Sequence, residues 1–82
     1  MDELSVLREE INSIDDKIMT LLDKRYTLTM KIGDIKQVKN ITILDTKRED
    51  YINDKISKYS HSPQISVVYN TIMSESKKAQ RK

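Results

Sequence analysis

The stretch from residue 4 to residue 35 carries the hydrophobic spacing of one helix face. Its apolar residues recur at steps of three and four, as an α-helix requires: Leu4, Leu7, Ile11, Ile14, Ile18, Leu21, Leu28, Ile32 and Ile35. Arg25 occupies one position of this series, so a permanently charged guanidinium interrupts the apolar face. The pattern predicts a helix that begins near Asp2 or Ser5, whose side chains can cap it. It passes through Gly33 and ends at about Gln37.

The predicted length of this first helix has a consequence for assembly. At 1.5 Å per residue it measures roughly 50 Å, whereas a compact chain of 82 residues has a radius of gyration of about 12 Å. The helix must therefore protrude from its own chain and bury its far end against another one. We expect an interlocked oligomer, most simply a two-fold dimer.

A second helix is predicted after the short β-branched connector formed by residues 40–44. Asp45 or Thr46 can open it, and Thr46-Lys47-Arg48-Glu49 fits the capping box, in which Glu49 reaches back to the helix start. Its apolar stripe consists of Ile52, Ile56 and Tyr59, and Arg48 lies one turn before Ile52 on the same side.

A third helix is predicted to follow the break at residues 60–63 and to run to near the end of the chain. Ser62 can cap this helix and Pro63 suits its first position. Its stripe begins apolar and ends polar, with Ile65, Val68, Ile72, Ser76 and Gln80 at successive turns. No repeat or linker divides the sequence, so we expect an all-α fold in which residues 1–82 form a single domain.

Composition agrees with a charged helical protein and excludes several classes of function. Hydrophobic residues make up 37% and charged residues 34% of the chain, with one Gly, one Pro, no Trp and no Phe. The 15 basic and 13 acidic residues are interspersed and give a net charge of only +2, which argues against a nucleic-acid partner.

Chemistry that depends on cysteine, histidine or a membrane also has little support. The absence of cysteine excludes a disulfide framework and a thiolate nucleophile. His61 is the single histidine and lies in a predicted loop, so we expect neither a metal site nor a serine-histidine-aspartate arrangement. No apolar run reaches membrane-spanning length, and the first residues are acidic where a signal peptide would be basic. We expect a cytoplasmic protein with no membrane partner.

Polar side chains interrupt the inward face of all three predicted helices. Each one alone is compatible with a solvated face, because the stem of an arginine or lysine can snorkel along apolar surface. Together they indicate a pocket, and cations without matching acids need an anionic partner. The residues concerned are Arg25, Lys36, Arg48, Ser76 and Gln80. We therefore expect a site for a small ligand with several negative charges.

The same residues, at these spacings, make the chain similar to the all-helical class of chorismate mutase, over nearly its whole length. The features that carry the resemblance are Leu7-Arg8-Glu9-Glu10-Ile11 with Ile14-Asp15, Leu21-Leu22-Asp23-Lys24-Arg25, Gly33 with Lys36, Asp45 followed by Arg48-Glu49, and Ser76 with Gln80. The resemblance implies an intertwined homodimer of three-helix subunits with two equivalent active sites. It also implies that Arg8 enters the site of the partner chain.

The resemblance assigns a role to each of these polar residues. Arg8 and Arg25 would hold the two carboxylates of chorismate, with Ser76 assisting. Lys36 and Gln80 would donate hydrogen bonds to the ether oxygen of the breaking C–O bond. The side of the site that holds the ring hydroxyl would be shaped by Asp45, Arg48 and Glu49, and Glu49 would be the direct acceptor.

The implied activity is the rearrangement of chorismate to prephenate in phenylalanine and tyrosine biosynthesis, with no cofactor and no metal. The residues assigned to catalysis are Arg25, Lys36, Glu49 and Gln80. Since an amide does not titrate, Gln80 implies no requirement for acidic pH.

Two alternatives remain open from the sequence. An isochorismate pyruvate lyase of the same fold would use a similar pocket. A non-catalytic helical dimerisation module would use the hydrophobic face alone, with Arg25 merely snorkelling.

Overall fold

The computed structural model describes residues 2–81, which form three α-helices. In chain order these are α1 (Glu3–Lys39), α2 (Thr46–Ile56) and α3 (Ser62–Gln80). No strand occurs in this range. The predicted all-α fold with a very long first helix is confirmed, since α1 alone contains 37 residues.

The ends of α1 are set by two capping residues. Asp2 is the N-cap, and its Oδ1 accepts a hydrogen bond of 2.7 Å from the backbone N–H of Ser5. This bond holds the pKa of Asp2 below its usual value, because it favours the ionised carboxylate. The helix ends at Lys39, two residues beyond the predicted Gln37, and the left-handed backbone of Asn40 (φ 58°) forms the C-cap.

The long α1 gives the chain an extended shape. The longest dimension is 56 Å and the radius of gyration is 16.2 Å, whereas a compact domain of this size has about 12 Å. Apolar side chains on the first half of α1 are 48% to 63% exposed in the single chain: Leu4, Leu7, Ile11, Ile14, Ile18 and Leu21. The prediction that α1 protrudes from its own chain is confirmed.

The start of α2 differs from the prediction in one detail. Asp45 is the N-cap, and its Oδ1 accepts from the backbone N–H of Arg48 at 3.0 Å. The predicted capping box is wrong, because Thr46 is already helical and the Glu49 carboxylate contacts Lys77 of α3 instead. In the predicted stripe, Ile52 and Ile56 are buried. Tyr59 lies beyond the end of α2 and is 61% exposed.

The start of α3 lies one residue earlier than predicted. His61 is its N-cap and makes no side-chain capping bond, so the predicted capping role of Ser62 is wrong. Pro63 falls in the first turn, where its missing N–H costs nothing. In the stripe of α3, Ser76 is buried and Gln80 is half-buried, whereas Val68 is 57% exposed in the single chain.

α3 packs against both α1 and α2 and thereby sets the site between them. The approach to α1 is closest at Gly33, where a Cβ would lie 2.6 Å from the Cα of Gln80. Glycine at this position therefore lets two backbones touch, while α1 continues through it without a break. Within residues 2–81, no helix combines the length and hydrophobicity that crossing a membrane requires.

Candidate functional site

A cavity of about 340 Å³ lies where the three helices and the connector between α1 and α2 meet. Its volume falls within the range of small-molecule sites, which is about 300–1,000 Å³. All three helices contribute polar side chains to its wall, and apolar residues fill the space between them. The lining residues are Arg25, Leu28, Thr29, Ile32, Lys36, Ile43, Asp45, Arg48, Glu49, Ile52, Met73, Ser76, Lys77 and Gln80.

On the α1 side, the Arg25 guanidinium is held by α3. It donates a hydrogen bond to Ser76 Oγ, and Ser76 Oγ in turn donates to the carbonyl oxygen of Ile72 at 2.7 Å. A guanidinium has five N–H donors in a planar fork. Arg25, which is half-buried, therefore keeps donors for a second acceptor in the cavity, and a carboxylate matches its geometry.

Lys36 lies three turns further along α1. Its Nζ donates to the carbonyl oxygen of Ile43 at 3.1 Å and so ties the connector to the helix. An ammonium has three donors, so this bond fixes the direction of the side chain without using its whole capacity. The half-buried Lys36 presents a positive charge to the cavity.

Gln80 is the last residue of α3, and it is held by its contact with Gly33. Its Nε2 donates a long bond of 3.4 Å to the carbonyl oxygen of Ser76. Its Oε1 is buried and has no hydrogen-bond partner among residues 2–81. A buried amide oxygen without a partner is uncommon in proteins, so Oε1 is an unused acceptor, and the NH₂ group of Gln80 keeps a second N–H to donate.

The α2 side of the cavity carries both of its carboxylates. Asp45 caps the helix, and the Arg48 guanidinium lies 5.3 Å from the centre of the Tyr51 ring. Glu49 Oε1 accepts from Lys77 Nζ at 3.3 Å, a bond that connects α2 to α3. All three side chains on this wall thus make contacts within the chain.

The charges around the cavity favour an anion. Four cations face two carboxylates, namely Arg25, Lys36, Arg48 and Lys77 against Asp45 and Glu49. The two positive charges in excess lie in a partly enclosed site, where electrostatic attraction is stronger than in bulk water. In the described part of the chain, no three potential metal-ligating side chains of His, Asp or Glu come together.

The structure brings together seven of the eight residues predicted for the site: Arg25, Lys36, Asp45, Arg48, Glu49, Ser76 and Gln80. Arg8 is exposed and does not line this cavity. It precedes Arg25 by 17 residues on the same helix, which corresponds to about 25 Å along the axis.

Sequence reasoning missed two polar lining residues, Thr29 and Lys77. Thr29 is buried, and its hydroxyl donates to the carbonyl oxygen of Arg25 at 2.8 Å. Lys77 lies three residues before Gln80 and four after Met73, so helical spacing alone places it on their side of α3. That spacing was the available signal.

Comparison with known proteins agrees with this arrangement of residues. The sequence matches the family model of chorismate mutase type II over residues 7–81. The chain belongs to this family. The family resemblance inferred from the spacing of Arg8, Arg25, Lys36 and the later polar residues is thus confirmed.

Three relatives illustrate the similarity. A chorismate mutase of Methanocaldococcus jannaschii is 38% identical over 58 residues, which are 71% of this chain and 59% of that protein. A bifunctional chorismate mutase/prephenate dehydratase of Aquifex aeolicus is 45% identical over 56 residues, 68% of this chain and 16% of that protein. A bifunctional chorismate mutase/prephenate dehydratase of Buchnera aphidicola is 36% identical over 86 residues, 99% of this chain and 22% of that protein. The chain therefore spans less than two thirds of each of these relatives.

Proposed function

We propose that this chain is a chorismate mutase, which rearranges chorismate to prephenate in phenylalanine and tyrosine biosynthesis, with residues 1–82 acting as one domain. The observation that carries the proposal is the cavity itself. Nine polar side chains, eight from the three helices and one from the N-cap Asp45, line it with two positive charges in excess, and chorismate carries two carboxylates. Family membership and the printed name of the M. jannaschii relative support the same activity.

The first role is to hold the substrate's carboxylates. Arg25, whose guanidinium is already oriented by Ser76, binds one of them in a bidentate manner. Clamping both carboxylates selects the compact conformer in which the two bond-forming carbons approach each other. Orientation of this kind removes a large part of the barrier in an intramolecular reaction.

The second carboxylate is assigned to Arg8 of the partner subunit in an intertwined homodimer. The exposed apolar stripe on the first half of α1 supports such an assembly, because a single chain leaves it in water. Arg8 lies on this half of α1, far from the cavity of its own chain. A two-fold axis would carry each Arg8 toward the cavity of the other chain.

The third role is to stabilise the charge that develops during bond breaking. As the C–O bond lengthens, negative charge grows on the ether oxygen. Lys36 and Gln80 donate to that oxygen, and donors of this kind act more strongly on the transition state than on the ground state. Two contacts support a preorganised pair of donors. Lys36 is directed by its hydrogen bond to the carbonyl oxygen of Ile43, and Gln80 is held by the close contact of its backbone with Gly33.

The α2 wall recognises the ring hydroxyl. Glu49 accepts its hydrogen bond, while Asp45 and Arg48 shape the surrounding surface. Because the rearrangement moves bonds within one molecule, it needs no nucleophile, metal or redox cofactor. Every role assigned to the site is one of binding, orientation or electrostatic stabilisation, and we assign the protein to the cytoplasm.

Incubation of the purified protein with chorismate tests the proposal. We expect prephenate to form at a rate that saturates with substrate and that Arg25→Ala lowers strongly. Release of pyruvate from isochorismate, with chorismate unchanged, would instead identify a pyruvate lyase. A folded dimer that is inert toward both compounds, with and without Arg25→Ala, would identify a dimerisation module.

A further inference from the structure

Lys77 of α3 makes an ion pair with Glu49 of α2 at the wall of the cavity. Its Nζ lies 3.3 Å from Glu49 Oε1, and both residues line the cavity wall. The side chains are 34% and 31% exposed. The neighbouring lysine, Lys78, pairs with Glu75 on the outer surface of α3, where the side chains are 66% and 49% exposed. Of these two adjacent lysines, only Lys77 belongs to the site.

The contact occupies one oxygen of the Glu49 carboxylate and leaves the other available. An ionised carboxylate accepts through both oxygens, so Oε1 can remain bound to Lys77 while Oε2 accepts from a ligand. A glutamate side chain rotates about three bonds and loses conformational freedom when its carboxylate is directed. Lys77 directs the Glu49 carboxylate before a ligand arrives, which reduces the conformational entropy that the side chain loses when the ligand binds.

We propose that Lys77 is a positioning residue for recognition of the substrate's ring hydroxyl. Its ammonium holds Glu49 Oε1 on the α3 side of the cavity, so that Oε2 faces the hydroxyl and accepts its hydrogen bond. This inference rests on the proposed function and adds a residue from α3 to the hydroxyl-binding wall. Lys77 acts through Glu49 and makes no contact with the reacting atoms.

The test compares chorismate with an analogue that has hydrogen in place of the ring hydroxyl. For Lys77→Met we expect the KM for chorismate to rise by roughly tenfold, with kcat within about threefold of wild type, because a hydrogen bond to a charged acceptor is weakened in ground state and transition state alike. The KM for the analogue should change less than about twofold, since it offers no hydroxyl. Lys77→Arg, which keeps the ion pair, should restore most of the preference for chorismate.

Two further measurements separate positioning from a structural role. The ratio of kcat/KM for the two substrates is taken on one preparation, so it does not depend on the fraction of protein that is folded. In a Glu49→Gln background, Lys77→Met should have little additional effect on this ratio, because the two residues act as one unit. Lys78→Met is the matched control: it removes one lysine and one ion pair from the same helix and should leave the ratio unchanged.

The possible failures are distinguishable. If wild type converts chorismate but Lys77→Met affects both substrates equally, the positioning role is overturned and the proposed function stands. The same holds if the effects of Lys77→Met and Glu49→Gln are additive. If folded wild type does not convert chorismate at all, both proposals are overturned.

Discussion

Gly33 and Gln80 touch through their backbones. A Cβ built on Gly33 would lie 2.6 Å from the Cα and 2.7 Å from the carbonyl oxygen of Gln80. Both atoms belong to the main chain, so no side-chain rotation could relieve the contact. The glycine near the C-terminal end of α1 therefore determines how closely the last residue of α3 approaches the cavity.

Gly33→Ala should consequently destabilise the protein, although alanine is the better helix former by about 1 kcal/mol. The added methyl group forces the end of α3 away from α1, and overpacking of this kind costs about 1–3 kcal/mol. We expect a lower unfolding midpoint in urea and a lower kcat, because Gln80 moves with α3. An unfolding midpoint above that of wild type would show that helix propensity outweighs the contact.

Arg25 should tolerate neither truncation nor conservative replacement. Arg25→Ala removes the carboxylate-binding fork, and Arg25→Lys replaces it with a point charge that cannot bind in a bidentate manner. We expect KM for chorismate to rise in both variants, and less in Arg25→Lys. Ser76→Ala, which removes one orienting bond, should cost about 1 kcal/mol in kcat/KM. An Arg25→Lys variant with wild-type kinetics would contradict the bidentate role.

Lys36→Ala should reduce kcat by about 100-fold or more, by comparison with the removal of one donor from an oxyanion hole. Lys39→Ala serves as its control, because Lys39 is an exposed lysine one turn later on α1. Steady-state kinetics and thermal unfolding should be measured on both variants. Lys36 also ties down Ile43, so a modest loss of stability is expected, but a near-normal kcat would refute the ether-oxygen role.

Subunit mixing tests whether Arg8 serves the other chain. Arg8→Ala and Lys36→Ala homodimers should each be nearly inactive. In a random equimolar mixture, half of the dimers are mixed and each mixed dimer contains one intact site, so about one quarter of wild-type activity should return. If Arg8 served its own chain, both sites of every mixed dimer would be damaged. No recovery after verified exchange would therefore count against sharing.

Gln80→Glu should introduce a pH dependence that wild type lacks. A carboxyl group donates a hydrogen bond only while it is protonated, and the ordinary pKa of glutamate is about 4.3. The kcat of the variant should fall as pH rises above the pKa of the introduced carboxyl group, whereas wild type should show no such fall between about pH 5 and pH 8. Parallel pH profiles would exclude a donor role for Gln80.

Periodicity was sufficient to predict the helices because each one has a distinct apolar stripe. The apolar positions of α1 identified the helix, and the break at Arg25 identified the side that lines the cavity. The boundaries of α2 and α3 were less predictable, since several capping residues compete there. Asp45 and Thr46 both suit an N-cap, and the structure assigns this role to Asp45, whose side chain accepts from the backbone N–H of Arg48, while Glu49 contacts Lys77 of α3.

The convergence of seven polar residues on one cavity followed from helix faces and from the family resemblance together. The contacts that hold them could not be predicted in this way. The bond from Lys36 to Ile43 depends on the path of the connector, and the pair formed by Lys77 and Glu49 depends on how α3 lies against α2. Both are long-range consequences of packing, which a pattern along one helix does not contain.

The exposed apolar face of α1 also determines how this chain must fold. Among residues 2–81 the only buried hydrophobic side chains of the single chain are those of Ile52 and Ile56. So small a core cannot offset the conformational entropy lost by the whole chain. In the proposed homodimer, folding and pairing should therefore be a single bimolecular event, and the unfolding midpoint should rise with protein concentration. A newly made chain at high dilution would stay largely unfolded until it met a second copy.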